Sequence, residues 1–196
     1  MPLLQEQRLE HHGRATLVLD LDHTLVHGEV QRPGLEEFLD QMSALYEIVL
    51  FTAGPQALAE QWVTAIDKGR FAFILYGNSC VSPKVGVNHK ILKDLGRDMA
   101  RVVVVDDTPS TYKYNQENAL PITPFYRGDD TDQELLALIP FLASIAHSED
   151  LRLELCKRKG YTNSTTSATI VSKKEKGGVK EKLVTVASNK KNKKKP

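Results

Sequence analysis

Apolar residues in this chain come in short unbroken runs, and several runs stop on a hydroxyl or a carboxylate. Thr16–Leu21 is apolar on both faces apart from its end, the pattern of a strand covered on both sides. Tyr46–Phe51, Phe71–Tyr76 and the four valines Val102–Val105 repeat it, and Ala119–Ile122 reads as an edge strand. Between the strands the period changes to that of a helix. Leu35, Phe38, Leu39, Met42 and Leu45 follow Pro33, which suits a first helical turn. Ala57, Leu58, Trp62, Val63 and Ile66 follow Pro55. Gly77–Val87 is turn-rich and predicts a projecting loop or small hairpin. A short helix is expected to open at Asn88 or His89, run through Ile91, Leu92 and Leu95, and close at Gly96. Asp132–Ile145 is a final amphipathic helix. Strand and helix in alternation predict a doubly wound α/β fold with a mostly parallel sheet.

Past Arg152 the periodicity fades, and charge then divides the chain. Residues 156–196 carry 13 Lys and Arg against 2 Asp and Glu, leaving 13 against 23 for residues 1–155; an acidic globule with a basic tail underlies the net +1. The expected organisation is a polar arm over 1–14, one domain over 15–155 and a basic, low-complexity, disordered tail over 156–196. With 41% hydrophobic residues, the domain can build a full core. Two cysteines, Cys80 and Cys156, are too few for a disulfide framework and stand at no zinc-ligand spacing; Cys80 reads as buried filler and Cys156 as incidental. The polar N-terminus lacks a signal-peptide centre, and no apolar run reaches membrane-span length. A soluble, intracellular protein is expected, without membrane partners. The lysines of 190–195 suit nuclear import, solubility or weak nucleic-acid contact equally.

The stretch Leu17-Val18-Leu19-Asp20-Leu21-Asp22-His23-Thr24 carries an apolar strand into two carboxylates and a hydroxyl at alternate positions. Alternation by two lets Asp20, Asp22 and Thr24 converge beyond the strand end. Two acids beside an apolar strand are costly unless a cation or hydrogen bonds neutralise them. Other strands end on Thr52 and on Asp106-Asp107, and open α/β sheets bind ligands at the carboxyl ends of their strands. Each residue also has an ordinary reading, as a turn, a helix cap or a solvated lysine. Together they match what phosphoryl transfer to a carboxylate requires. Asp20 would attack phosphorus. Asp22 would protonate the leaving oxygen and then activate water. Thr52 and the neighbouring N–H of Ala53 would hold the phosphoryl group, with Lys90 adding positive charge. Mg²⁺ would be held by Asp20, by Asp22 through a nearby main-chain carbonyl, and by Asp106 or Asp107. Thr24 would orient the loop, and His23 and His27 would pack beside it.

Asp20-Leu21-Asp22-His23-Thr24-Leu25-Val26-His27 resembles the DxDxT signature of the haloacid dehalogenase superfamily. More narrowly it is similar to the small phosphatases of the RNA polymerase II C-terminal domain. The likeness continues through Arg32-Pro33, Phe51-Thr52-Ala53, Ser79-Cys80-Val81, Leu95-Gly96-Arg97-Asp98, Val105-Asp106-Asp107-Thr108-Pro109, Asn118 and Leu138-Ile139-Pro140-Phe141-Leu142. It implies the haloacid dehalogenase fold, a Mg²⁺-dependent phosphoserine/phosphothreonine protein phosphatase, a phosphorylated protein or peptide substrate, and a place in the nucleus or cytoplasm. By position it assigns Asp20 as nucleophile, Asp22 as acid and base, Thr52 and Lys90 to phosphate, and Asp107 to the metal. The placement of Lys90 rests mainly on it. Two departures bear on substrate. Such relatives carry a few tens of residues between the signature and the Arg-Pro pair, forming part of an apolar pocket for the substrate peptide, where only Gly28–Gln31 stand here. Lys84 lies near where they place a substrate-contacting arginine, and it lacks that residue's bidentate fork.

Three other classes compete. A phosphoacceptor domain uses the same strand-end acid but no base, and Asp22 argues against it. A phosphatase of small metabolites would suit the more open site left by the shortened stretch. A non-catalytic scaffold with this fold is the third, as in mitochondrial import.

Overall fold

The computed structural model describes residues 1–160. β1 (Ala15–Leu19) is buried at every position, because it has a strand on each side and cover on both faces. β2 (Val26–His27) and β3 (Val30–Gln31) then pair as a minimal antiparallel hairpin. There follow α1 (Leu35–Leu45), β4 (Tyr46–Phe51), α2 (Gln56–Asp67) and β5 (Phe73–Leu75). β6 (Val81–Lys84) and β7 (Val87–His89) make the expected hairpin. The chain continues through β8 (Val102–Asp106), β9 (Ala119–Pro121), α3 (Glu134–Ile145) and α4 (Leu151–Arg158).

The main sheet has the order β5-β4-β1-β8-β9 with every pair parallel, and β9 is at an edge, as expected. The chain steps outward from β1 through β4 to β5, then recrosses the sheet to β8. Strand order therefore reverses between β1 and β8. Open α/β sheets bind ligands at the carboxyl ends of their strands, at such a switch point. Asp20, Thr52, Asp106 and Asp107 all stand at that rim.

The two faces of the sheet are covered differently. Leu17, Leu19, Ile48, Leu50, Val103 and Val105 pack in one cluster with buried residues of all four α-helices, among them Phe38, Val63, Leu138 and Leu155. Val18, Val49, Phe51, Val102 and Val104 pack instead with Leu4, Leu92, Leu95 and Tyr112, none of which lies in an α-helix. The expected helix from Asn88 or His89 is not there. Asn88 and His89 belong to β7, and only Leu92–Leu95 remains for a 3₁₀ turn. Tertiary ties hold the segment extended: the Lys90 N–H donates to the Thr111 carbonyl, and the Asn115 amide donates to the Lys90 carbonyl. The turn does close at Gly96, at φ 76°.

Other boundaries shift for local reasons. α1 begins at Leu35, behind Gly34 at φ 77°, so Pro33 precedes the helix. A Cβ at Gly34 would come within 2.5 Å of Leu136 Cγ, and only glycine allows that backbone and that approach of α3. α3 begins two residues after Asp132, whose carboxylate caps the Glu134 N–H at 3.0 Å while pairing with Arg32. α4 reaches Arg158, past the expected start of the tail; Asp150 caps it by accepting the Arg152 N–H, and Leu151 and Leu155 are buried. The N-terminal arm is docked: Leu4 is buried and the Leu3 N–H donates to the Asp94 carbonyl at 2.7 Å. Cys80 and Cys156 are half-buried. The expectation of disorder falls largely on residues 161–196, outside the described residues.

Candidate active site

The signature loop begins as a continuation of the sheet. The Asp20 N–H donates to the Val105 carbonyl at 3.0 Å, holding Asp20 in register between β1 and β8. The chain then reverses around the Leu21 carbonyl, which accepts the N–H groups of Leu25 at 2.9 Å and Val26 at 3.1 Å. His23 takes a positive φ of 61° inside the turn. The expected convergence is thereby divided between two depths. Asp20 (7% exposed) and Thr24 are buried, whereas Asp22 is exposed.

At the lower level Lys90 is completely buried and donates to two carboxylates, Asp20 Oδ1 at 2.5 Å and Asp106 Oδ2 at 2.6 Å. Asp106 is further held by the Thr111 hydroxyl at 2.7 Å and the Thr108 N–H at 2.8 Å. Thr24 faces Asp107, donating to its Oδ1 at 3.2 Å and accepting its N–H at 3.3 Å. Asp20, Asp106 and Asp107 each offer an oxygen, all within 4.8 Å of one another. One ammonium among three carboxylates leaves two negative charges in excess. Burial pushes the Asp20 carboxyl up to about 7, with Lys90 opposing the rise and Asp106 adding to it. Burial alone would lower Lys90, but Asp20 and Asp106 outweigh it and hold the ammonium above its ordinary range. An all-oxygen cluster with uncompensated negative charge fits a hard divalent cation. The carboxylate of Asp22 is outside this group. Asp107 is the freer partner, since Asp106 is already bound by Lys90, Thr111 and Thr108.

At the upper level Thr52, itself buried beneath Asp22, accepts the Gly54 N–H at 2.9 Å and donates to Asp22 Oδ2 at 3.3 Å. Gly54 thus fixes which way the hydroxyl points, toward the exposed acid. α2 begins just beyond, presenting its positive end on this side. The Ala53 carbonyl accepts the Asn88 amide at 3.2 Å, tying the turn to the β6–β7 hairpin. The structure therefore brings Asp20, Thr24, Lys90, Asp106 and Asp107 into one network, with Asp22 and Thr52 as a pair above it. Lys84 is exposed on β6, and no described hydrogen bond or ion pair joins it to either level.

Pattern reading missed several supporting residues. Thr111 and Asn115 hold Lys90 and its acid. Arg32 is buried, forks onto Asp132 at 2.8 and 2.7 Å, and donates to the Thr24 and Thr123 carbonyls. It thereby staples the signature loop to the entry of α3. Its usable signal was the Arg32-Pro33 pair. His23 donates from Nδ1 to the Phe125 carbonyl, His27 Nδ1 accepts the Arg127 N–H, and both rings pack with Tyr126; packing was the role expected of them.

Curated relatives include the CTD small phosphatase-like protein of Homo sapiens, 34% identical over 76% of this chain and 62% of its own length. The probable C-terminal domain small phosphatase of Dictyostelium discoideum is 36% identical over 79% of this chain and 58% of its own. The mitochondrial import inner membrane translocase subunit TIM50 of Phytophthora infestans is 40% identical over 66% of this chain and 34% of its own. The chain thus spans between a third and two thirds of these relatives. The structure of Fcp1, an essential RNA polymerase II CTD phosphatase, shares the fold with a TM-score of 0.50 at 20% identity, covering 79% of this chain and 55% of that one. The family model for NLI interacting factor-like phosphatase matches residues 15–152, most of the chain and every residue of both levels of the site, and the chain belongs to that family, within the haloacid dehalogenase superfamily.

Proposed function

We propose that this chain is a Mg²⁺-dependent phosphoserine/phosphothreonine protein phosphatase that works through an aspartyl-phosphate on Asp20. The observation that carries the reading is the two-level site: a buried, Lys90-held Asp20 within an over-charged acidic cluster, and an exposed Asp22 bonded to Thr52 above it.

Lys90 occupies Asp20 Oδ1, which leaves Oδ2 to attack phosphorus. As the Asp20–phosphorus bond forms, the bond to the seryl or threonyl oxygen breaks, and protonated Asp22 delivers its proton to that oxygen. Asp22, now a carboxylate, takes a proton from water as the water oxygen attacks phosphorus. The Asp20–phosphorus bond breaks, releasing phosphate and restoring both acids. The Thr52 hydroxyl, the Ala53 N–H and the Lys90 ammonium are the donors for the phosphoryl oxygens. Asp20, Asp107 and the main chain at Asp22, with Asp106 behind them, would hold Mg²⁺, which when bound lets two anions approach each other.

The test uses the full chain with a phosphoserine peptide and p-nitrophenyl phosphate, with Mg²⁺ or with EDTA. Turnover lost in EDTA and in Asp20→Asn supports the reading, and robust activity in that variant overturns it. A panel of phosphorylated sugars and nucleotides separates the metabolite reading. The TIM50 relative favours one rival, a non-catalytic import scaffold. That rival predicts no turnover of any phosphate ester and a mitochondrial location, against the nuclear or cytoplasmic one proposed here, which imaging of the tagged chain decides.

A further inference from the structure

Beside the phosphoryl turn is a cavity of about 330 Å³ lined by Ala53, Pro55, Gln56, Gly77, Asn78 and Asn88, and the mechanism above makes no use of it. Its walls are fixed to that turn. The Gly77 N–H donates to the Gly54 carbonyl at 2.8 Å, and a Cβ at Gly77 would sit 2.5 Å from the Ala53 carbonyl oxygen, so the approach needs glycine. On the other side Asn88 donates to the Ala53 carbonyl and accepts the Ser82 hydroxyl at 2.5 Å. The side-chain amides of Gln56 and Asn78 are exposed and bond to none of the described residues.

The lining carries no charge, and three of its six residues are carboxamides. A second anionic group, such as that of a nucleotide or bisphosphate, would find no cationic side chain there. A carboxamide presents an acceptor and donors in one plane, complementary to a peptide group. We propose that this cavity is a main-chain subsite: Gln56 and Asn78 hydrogen-bond the backbone of a residue flanking the phosphoserine in an extended peptide, and Asn88 positions the turn between subsite and phosphoryl group. The inference rests on the phosphatase reading and names how its substrate is held.

The experiment compares the full chain with the Gln56→Ala/Asn78→Ala variant, in Mg²⁺, on a phosphoserine heptapeptide and on p-nitrophenyl phosphate. The ratio of peptide to aryl-phosphate kcat/KM is expected to fall about tenfold in the variant, as for the loss of one or two hydrogen bonds. A peptide with one flanking amide replaced by an ester should be a poorer substrate for the parent chain and no poorer for the variant, a difference that a merely structural role of these residues would not produce. An unmoved ratio with aryl-phosphate turnover intact overturns the subsite alone. A hexose phosphate preferred over the peptide, and weakened in the variant, reassigns the cavity to a sugar and also overturns it. Absence of turnover on every substrate overturns the phosphatase reading, and the subsite with it.

Discussion

At the amino end of the sheet Glu47 is fully buried, and at the carboxyl end Asp20 nearly so. Each has a basic partner. Arg97 grips Glu47 with two bonds of 2.8 Å, and Thr16 and Gln7 donate to the same carboxylate at 2.9 and 3.2 Å. Burial pushes Glu47 up, but these donors outweigh it and hold its carboxyl below the ordinary range. Asp20 shares one ammonium with Asp106, stands near Asp107, and is pushed up to about 7. Ingredients are alike, yet the balance of charge is opposite. A buried acid whose donors match its charge completes a structural joint. A buried acid with surplus neighbours is left with unbalanced charge, the condition that the proposed function assigns to a cation and a substrate.

The sharpest way to break the contrast is to remove each charge in turn. Asp20→Asn should lower kcat on p-nitrophenyl phosphate by about 10³-fold or more, the scale for loss of a nucleophile. Glu47→Gln should leave turnover within about twofold, because its partners lie at the far end of the strands. Removing the cations comes next. Lys90→Met and Arg97→Met each strand a buried acid and should destabilise the fold by about 3–5 kcal/mol in urea titrations with EDTA. Mg²⁺ should recover part of the loss at Lys90 and none at Arg97. Equal recovery in both would erase the distinction between the two ends.

How much of this contrast the sequence reveals depends on whether a feature is local. Asp20, Thr52 and Asp106 were legible because each is a polar residue closing an apolar run, and the five strands of the main sheet follow from apolar runs. The partner contacts were not. Lys90 entered the site mainly through the family resemblance, and it meets Asp20 across 70 residues, as Arg32 meets Asp132 across 100, contacts that no periodicity records. Asn88 and His89 looked helical because Ile91, Leu92 and Leu95 follow at helical spacing. Hydrogen bonds donated to the Ala53 and Thr111 carbonyls and one received from Asn115 decide otherwise. α4 was lost for the opposite reason: only Leu151 and Leu155 are buried along it, so docking rather than pattern stabilises it.

The same contrast predicts opposite responses to pH in EDTA. A carboxyl raised on folding holds its proton longer in the native state, so its contribution to stability is present below the ordinary value of 3.8 and lost as pH rises through about 7. Asp20 should therefore weaken the metal-free protein by a few kcal/mol, as an order of magnitude, between pH 4 and 8. Glu47, lowered on folding, contributes stability above its ordinary value and loses it as pH falls. Urea midpoints across this range should show Asp20→Asn flattening the alkaline side alone, and Mg²⁺ doing the same in the parent chain. Parallel curves for parent and variant would mean that Asp20 is not the group responsible.

The smallest effect expected is at Thr24, and it tests whether the over-charged end is organised around a cation at all. Its hydroxyl donates to Asp107 Oδ1 and accepts the Asp107 N–H at 3.2 and 3.3 Å, long bonds that contribute about 1 kcal/mol or less to the fold. Thr24→Val keeps the buried shape and removes the bonds, so stability in EDTA should fall by no more than that. If Asp107 is a ligand oriented by Thr24, the cost falls instead on the metal: loss of such an outer partner weakens affinity by about 10–100-fold. Mg²⁺ activation curves for the two chains separate the cases. A half-saturating concentration shifted upward at nearly constant stability makes Thr24 a positioning residue for the cation site. An unmoved concentration reduces it to loop packing and takes Asp107 out of the ligand set.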